Sequence, residues 1–157
     1  MQARLVKRER SYMVGISVSI PRSTNQTIKL NKTVMKRLVS LQRYLTIQGT
    51  EEIIALCPVS PLTSLNQEWI IGYHVPHRFP VNKEFSLHEM PGGTYFVGTR
   101  GTKLETIYDT MQNHWIMTEM YDQLPTLFER YTIAGDNKRI EVYSRVRPKI
   151  SEQQHYA

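Results

Sequence analysis

The stretch LFERYTIAGDNKRIEVYSR, residues 127–145, reads as two strands joined by a tight turn. Its turn, AGDNK, carries Gly135 and Asn137, which tolerate left-handed backbone. Each arm sets a glutamate two residues before a tyrosine: Glu129 with Tyr131, then Glu141 with Tyr143. Residues two apart in a strand share a face, so Leu127, Glu129, Tyr131 and Ile133 line up on one side. Giving Phe128, Ile140 and Val142 to a helix-packed face places Glu129, Tyr131, Glu141 and Tyr143 together on the other. Acid and aromatic on one face suit neither a dry core nor an ordinary wet surface.

Upstream of the hairpin, GGTYFVGT (92–99) predicts a strand, and TKLE (102–105) is a capping box of Thr102 and Glu105 that opens a helix. Leu104, Tyr108, Met111 and Trp115 recur at helical spacing along it, a stripe assigned to the core. The first part of the chain runs the same programme. SYMVGISVSI (11–20) is β-rich and bounded by Pro21. A helix follows with Asn31 as N-cap, Val34, Leu38, Leu41 and Leu45 as its apolar stripe, and Gly49 as its stop. EEIIALC and NQEWIIGYHV are then two strands around the turn-rich PVSPLTSL. Each half is β-α-β-β, over about residues 5–76 and 85–148, with a tail at 149–157. The fold class is α+β: duplicated β-α-β-β units forming a curved antiparallel sheet, two helices on one face and a ligand cleft on the other.

Bulk properties agree with one domain of 157 residues, 40% hydrophobic and 22% charged. No run approaches the roughly 20 apolar residues that cross a bilayer, and the N-terminus lacks the apolar region of a signal peptide, so no membrane partner is expected. The single cysteine, Cys57, excludes an internal disulfide framework and suits a reducing cytoplasm, where it is expected as a small buried hydrophobe. Net charge is +6 and pI about 9.5. Much of that charge lies at the ends, in Arg4, Lys7, Arg8 and Arg10 and in Arg145, Arg147 and Lys149. Such ends either keep the protein soluble or attract nucleic acid or an acidic protein surface.

FVGTRG (96–101), Trp115, PTLFERY (125–131) and IEVYSRVRP (140–148) together resemble the closing half of the GyrI-like small-molecule-binding domain, the AraC effector-binding domain of multidrug-sensing regulators. The resemblance runs over about residues 88–148, and over 5–80 it rests on element order and YMVG (12–15). It implies an acidic residue of the first hairpin strand, here Glu129, at a pocket floor ringed by aromatics, with Tyr131, Glu141 and Tyr143 as neighbours. No helix-turn-helix segment precedes the domain, so the expectation is a standalone module, with any signal passed to a protein partner or regulator.

Physical chemistry supports the same residues independently. A carboxylate among rings is partly desolvated, which disfavours its charge, and an arriving cation relieves that cost. Tyrosine faces add cation–π attraction of about 0.5–2 kcal/mol each. The bland alternative has Glu129 and Glu141 facing water on a one-sided sheet, with Glu141 paired to Arg130 or Arg145. Trp69 and Tyr73, on one face with Ile71 and Val75, either mirror the tyrosine wall or pack half-exposed; Tyr95 points to either face, and all three are counted with Glu129, Tyr131, Glu141 and Tyr143 as candidate ligand-binding residues. The leading expectation is a non-catalytic binding domain for a hydrophobic, cationic small molecule. The resemblance also admits a hydrolase of cyclopropane-type electrophiles with Glu129 as base and Tyr131 or Tyr143 as acid. A third reading is DNA, or a DNA-topology enzyme, met by the basic ends. His74, His77, His88, His114 and His155 form no metal-ligand set, and neither a P-loop nor a dinucleotide fingerprint is present, so no metal or cofactor is expected.

Overall fold

The computed structural model describes residues 2–21, 31–45, 52–58, 66–99, 104–134 and 137–150. Its strands are β1 (Gln2–Arg8), β2 (Ser11–Pro21), β3 (Glu52–Cys57), β4 (Asn66–Val75), β5 (Ser86–Met90), β6 (Gly93–Thr99), β7 (Tyr121–Ala134) and β8 (Asn137–Pro148). Helix α1 spans Lys32–Leu45 and α2 spans Leu104–Gln112, and a π-helical turn, Ile116–Met120, leads into β7. All strands join one antiparallel sheet in the order β1-β6-β8-β7-β3-β4-β2-β5. The two predicted β-α-β-β units are β2-α1-β3-β4 and β6-α2-β7-β8, and they meet at the β3–β7 pair.

The N-cap at Asn31 forms as predicted: its Oδ1 accepts from the Val34 amide at 2.9 Å. The capping Thr102, the stop at Gly49 and the turn residues Gly135 and Asp136 lie outside the described residues. Val34, Leu38 and Leu41 bury the inner face of α1. On α2 the buried residues are Leu104, Ile107 and Met111. Trp115 is 54% exposed, a correction to its assignment as core. The physical reason is that α2 stops at Gln112 and the chain turns, the amides of Asn113 and His114 bonding back to Asp109 and Met111. Helical periodicity therefore no longer carries Trp115 inward.

Two strands not counted in the repeat decide the shape. Strand β1 precedes β2 by only Glu9 and Arg10, yet it pairs with β6 in the other half; β5 precedes β6 by only Pro91 and Gly92, yet it pairs with β2. Arg8 faces Gly93 and Ser11 faces Met90, three residues on in one strand and three back in the other, so the register is unbroken. Residues 2–15 and 86–99 thus form one continuous crossing ribbon whose two ends cap opposite edges of the sheet. The sheet must curl until those edges approach.

Two cores result. Residues from α1, α2 and the helix-bearing face pack together, including Leu38, Leu41, Ile71, Phe96, Ile107 and Val142. The other face, where a cleft was expected, holds a second core of Met13, Ile54, Leu56, Ile70, Met90, Tyr95, Val97, Phe128 and Tyr143. The ribbon contributes Met13, Met90, Tyr95 and Val97 to it, so the curl that closes the sheet fills this side with protein.

Close approach of β2 to β4 requires glycine. A Cβ on Gly72 would lie 1.9 Å from the Val14 carbonyl oxygen, whereas one on Gly98 would meet the Met111 side chain at 2.5 Å. Backbone cannot yield and methionine can. Gly72→Ala is accordingly expected to cost more than about 3 kcal/mol, and Gly98→Ala about 1–3 kcal/mol. Urea unfolding of both variants checks the order; equal losses would refute it.

Candidate functional site

Cross-strand partners share a face, so the register of β7 with β8 divides the four predicted hairpin residues. Glu129 stands opposite Val142 and Tyr131 opposite Ile140, all on the helix-bearing side. Phe128 stands opposite Tyr143 and Arg130 opposite Glu141, on the other. The expectation that Glu129, Tyr131, Glu141 and Tyr143 share one face is corrected here. In an antiparallel pair it is register, not spacing within each strand, that sets which residues meet.

Glu129 is fully buried. One transverse row crosses the sheet through it: Gly98, Val142, Glu129, Ala55, Ile71 and Ile16. The row is symmetric in its elements about the β3–β7 pair, so Glu129 and Ala55 are structural counterparts at the seam of the two halves. Alanine beside the carboxylate leaves room that a larger residue would fill. Of the helices, α1 packs chiefly on β2 and β4 and α2 on β6 and β8, with the seam strands running between them.

Two phenols close over the carboxylate. Tyr131 donates to Oε1 at 2.6 Å and Tyr108, from α2, donates to Oε2 at 2.5 Å. Burial, the Glu129 charge and the hydrogen bond to it all push the Tyr108 and Tyr131 hydroxyls well above the usual phenol range. Both therefore stay protonated and keep donating. Sequence periodicity listed Tyr108 merely as part of the helical stripe. Its bond to Glu129 is not legible there, because the expected arrangement sets the acid on the face away from the helices and no motif marks the phenol.

Trp69 and Tyr73 are buried on the same face as Tyr131, not half-exposed, but the wall of Tyr131 with Tyr143 that they were expected to mirror does not form, since Tyr143 lies on the other face. Cys57 is buried there too, as expected. The Tyr73 hydroxyl is raised by burial. Just before Leu127, Leu124, Pro125 and Thr126 stand against the single residue Arg145, a bulge in which Thr126 takes φ +136°. A β-branched residue at positive φ costs on the order of 1–3 kcal/mol, and such strain gathers beside functional sites.

Glu141 and Tyr143 belong to the second core. Glu141 is bridged by Arg4, Arg130 and Arg139 at 3.4, 3.8 and 3.6 Å, so the pairing with Arg130 considered from sequence is the one formed. Arg130 also bonds Glu52. Tyr143 stacks on Phe128 at 4.4 Å, Tyr95 meets both rings edge-on, and the Tyr95 hydroxyl donates to the Pro91 carbonyl at 2.6 Å. Tyr143 is thus separated by the sheet from Glu129 and cannot act with it as acid to base. A hollow of about 590 Å³ lined by Asp109, Thr110, Asn113, His114 and Trp115 is open to solvent and contains none of the predicted site residues. Among the described residues no group of His, Cys, Asp or Glu is arranged to hold a metal, and no helix is long and apolar enough to cross a membrane.

Solved structures share this fold. The structure of SAV2435 bound to tetraphenylphosphonium is 14% identical, with a TM-score of 0.59 over 99% of this chain and 98% of that one. The C-terminal domain of EcmrR is 11% identical, with a TM-score of 0.63 over 93% and 97%. A putative bacterial transcription regulation protein from Staphylococcus aureus MU50 is 15% identical, with a TM-score of 0.58 over 94% and 99%. The chain has their fold. It is the fold implied by the resemblance to the GyrI-like effector-binding domain, and these neighbours are regulator and ligand-binding domains. By sequence, no family model and no curated protein matches the chain.

Stability should record the buried phenols. An unfolded tyrosine loses its proton near pH 10, while these two hold theirs, so above that pH the unfolded state binds fewer protons. Their contribution is complete below pH 10 and is lost as pH rises, by about 1.4 kcal/mol per pH unit per tyrosine. Urea midpoints between pH 9 and 11 check this; Tyr131→Phe should flatten the decline, and an unchanged slope would contradict it.

Proposed function

We propose that the chain is a binding domain for bulky hydrophobic cations, with Glu129 as the charge that receives them. The observation that carries this reading is a fully buried carboxylate at the seam of the two halves, held by two neutral phenols. Both of its oxygens accept from neutral hydroxyls, so no full positive charge stands beside either bond. A lipophilic cation brought to the same place gains Coulomb attraction in a poorly screened setting, together with ring faces and apolar burial. That SAV2435 was solved with tetraphenylphosphonium bound supports this class of ligand.

Entry requires a movement. Glu129 has no exposed surface, and Tyr108 covers one carboxylate oxygen from α2, so a ligand must first displace the Tyr108 hydroxyl. Binding at Glu129 is thereby coupled to the position of α2 and of the π-helical turn after it, none of whose residues is buried. In a sensor this displacement is the signal handed to a protein partner. In a sequestering protein it is simply the door. The ordinary requirement of population shift applies: the ligand favours the open state only by as much as it binds that state more tightly.

The test is fluorescence titration of Trp69 and Trp115 with tetraphenylphosphonium and with the neutral triphenylphosphine oxide. Wild type should bind the cation more tightly. Glu129→Gln should weaken the cation by about tenfold or more and leave the neutral compound unchanged. Equal affinity of wild type and Glu129→Gln for the cation would sink the reading.

A further inference from the structure

Outside the Glu129 site, the kink of the crossing ribbon holds a second concentration of charge. Arg8 and Gly93 face each other across β1 and β6, and Arg145 pairs with Tyr95 two residues further along β6. Glycine at 93, with φ +136°, leaves the space between them empty of side chain. Arg145 uses it: its Nε and Nη2 lie 3.4 and 3.7 Å from where a Gly93 Cβ would stand. The Arg8 guanidinium lies 5.3 and 5.1 Å from the centres of the stacked Phe128 and Tyr143 rings.

We propose that Arg8 and Arg145 form an oxyanion site at this kink and that it takes a phosphate group. Arg145 lies over Gly93 and Arg8 over the Phe128 and Tyr143 rings, and both act on the Tyr95 phenol; two like charges so placed repel, and the usual remedy is an acid between them. Among the described residues no carboxylate lies within 4.0 Å of either guanidinium. Glu141 is engaged with Arg4, Arg130 and Arg139 and Glu89 with Arg10, while Glu9, exposed in the kink beside Arg8, pairs with neither guanidinium. The Arg145 Nε is buried with no hydrogen-bond partner, a donor of the kind a bound oxygen satisfies. Both arginines sit near the Tyr95 phenol and favour its anionic form, while burial outweighs them and raises it. Tyr95 is therefore protonated and supplies no anion.

Guanidinium forks fit tetrahedral oxyanions bidentately, and rings that fix one face of a fork leave its edge donors free. Both side chains are partly exposed, so a ligand reaches them from solvent. The topology also explains the terminal basic clusters. Strands β1 and β8 flank β6, so Arg8 and Arg145 come to neighbouring places although they are far apart in the sequence. This site is on the sheet face away from Glu129 and stands independently of the cation reading.

A phosphate group reaches the site either as a free anion or within a nucleic-acid backbone, and one experiment separates the two. The thermal midpoint and titration calorimetry are read with inorganic phosphate, with chloride at matched ionic strength, and with a short DNA duplex. Phosphate, but not chloride, should stabilise wild type. Arg145→Gln should weaken phosphate by about tenfold or more while its ligand-free midpoint holds or rises, because the repulsion is relieved. Arg145→Lys should keep the charge, fold, and retain only part of the affinity; Lys7→Gln, on the other face of β1, should match wild type. Phosphate binding without duplex binding assigns the small anion. Tighter duplex binding that falls steeply with salt assigns the backbone. The proposal is overturned if wild type binds neither, if Arg145→Gln and Arg145→Lys both respond as wild type does, or if Arg145→Gln lowers the ligand-free midpoint and leaves the phosphate response intact.

Discussion

An unbroken antiparallel register between residues 2–15 and 86–99 is the constraint on which the rest of the molecule depends. Each strand of this ribbon serves both halves, pairing with β6 or β5 on one side of the kink and continuing on the other. Only two residues join β1 to β2, and two join β5 to β6, while the sheet order sets those strands at opposite ends. Curling is the single solution that keeps every ladder bond, since an open edge would leave backbone groups unpaired and templating. Curling in turn creates an enclosed side, which the ribbon's own Met13, Tyr95 and Val97 fill. With that side occupied, the proposed reception of a small molecule falls to the helix-bearing face.

On that face, one charge is buried where the two halves meet. Sinking a carboxylate below the helices is tolerable because two hydroxyls donate to it, and hydrogen bonds to a charged group are about twice as strong as neutral ones. One donor comes from the same strand and is fixed. The other comes from α2 and can leave with its helix. In the binding role proposed above, the bond that satisfies the acid also gives a ligand's charge a mechanical consequence. Ala55, the counterpart of Glu129 across the seam, carries no charge, so the two halves place a single carboxylate between them.

Glu141 and Tyr143 show how the same residue types serve another purpose one strand away. Glu141 gathers arginines from β1, β7 and β8, tying the ribbon to the hairpin, and Tyr143 stacks on Phe128 within the second core. Exposed portions of these ion pairs contribute little individually, but three arginines on one buried acid fix the register of three strands. Chemistry on one side of the hairpin and architecture on the other explain why acid and tyrosine alternate along both arms.

Local signals in the chain determined the element types, the helix N-cap at Asn31, the duplicated β-α-β-β order, and the placing of Glu129 and Tyr131 on one face of β7. Periodicity and capping reach only a few residues along the chain, and those features need no more. Which arm of the hairpin faces the helices, the second core, the exposure of Trp115, and the meeting of Tyr108 with Glu129 were decided by tertiary structure alone. Each depends on register between strands far apart in sequence, or on where a helix stops, and a shift of one residue inverts every face. Strand exchange between the halves is the extreme case: nothing within residues 2–8 states that their partner lies at 93–99, because that pairing is selected by the closure of the whole sheet.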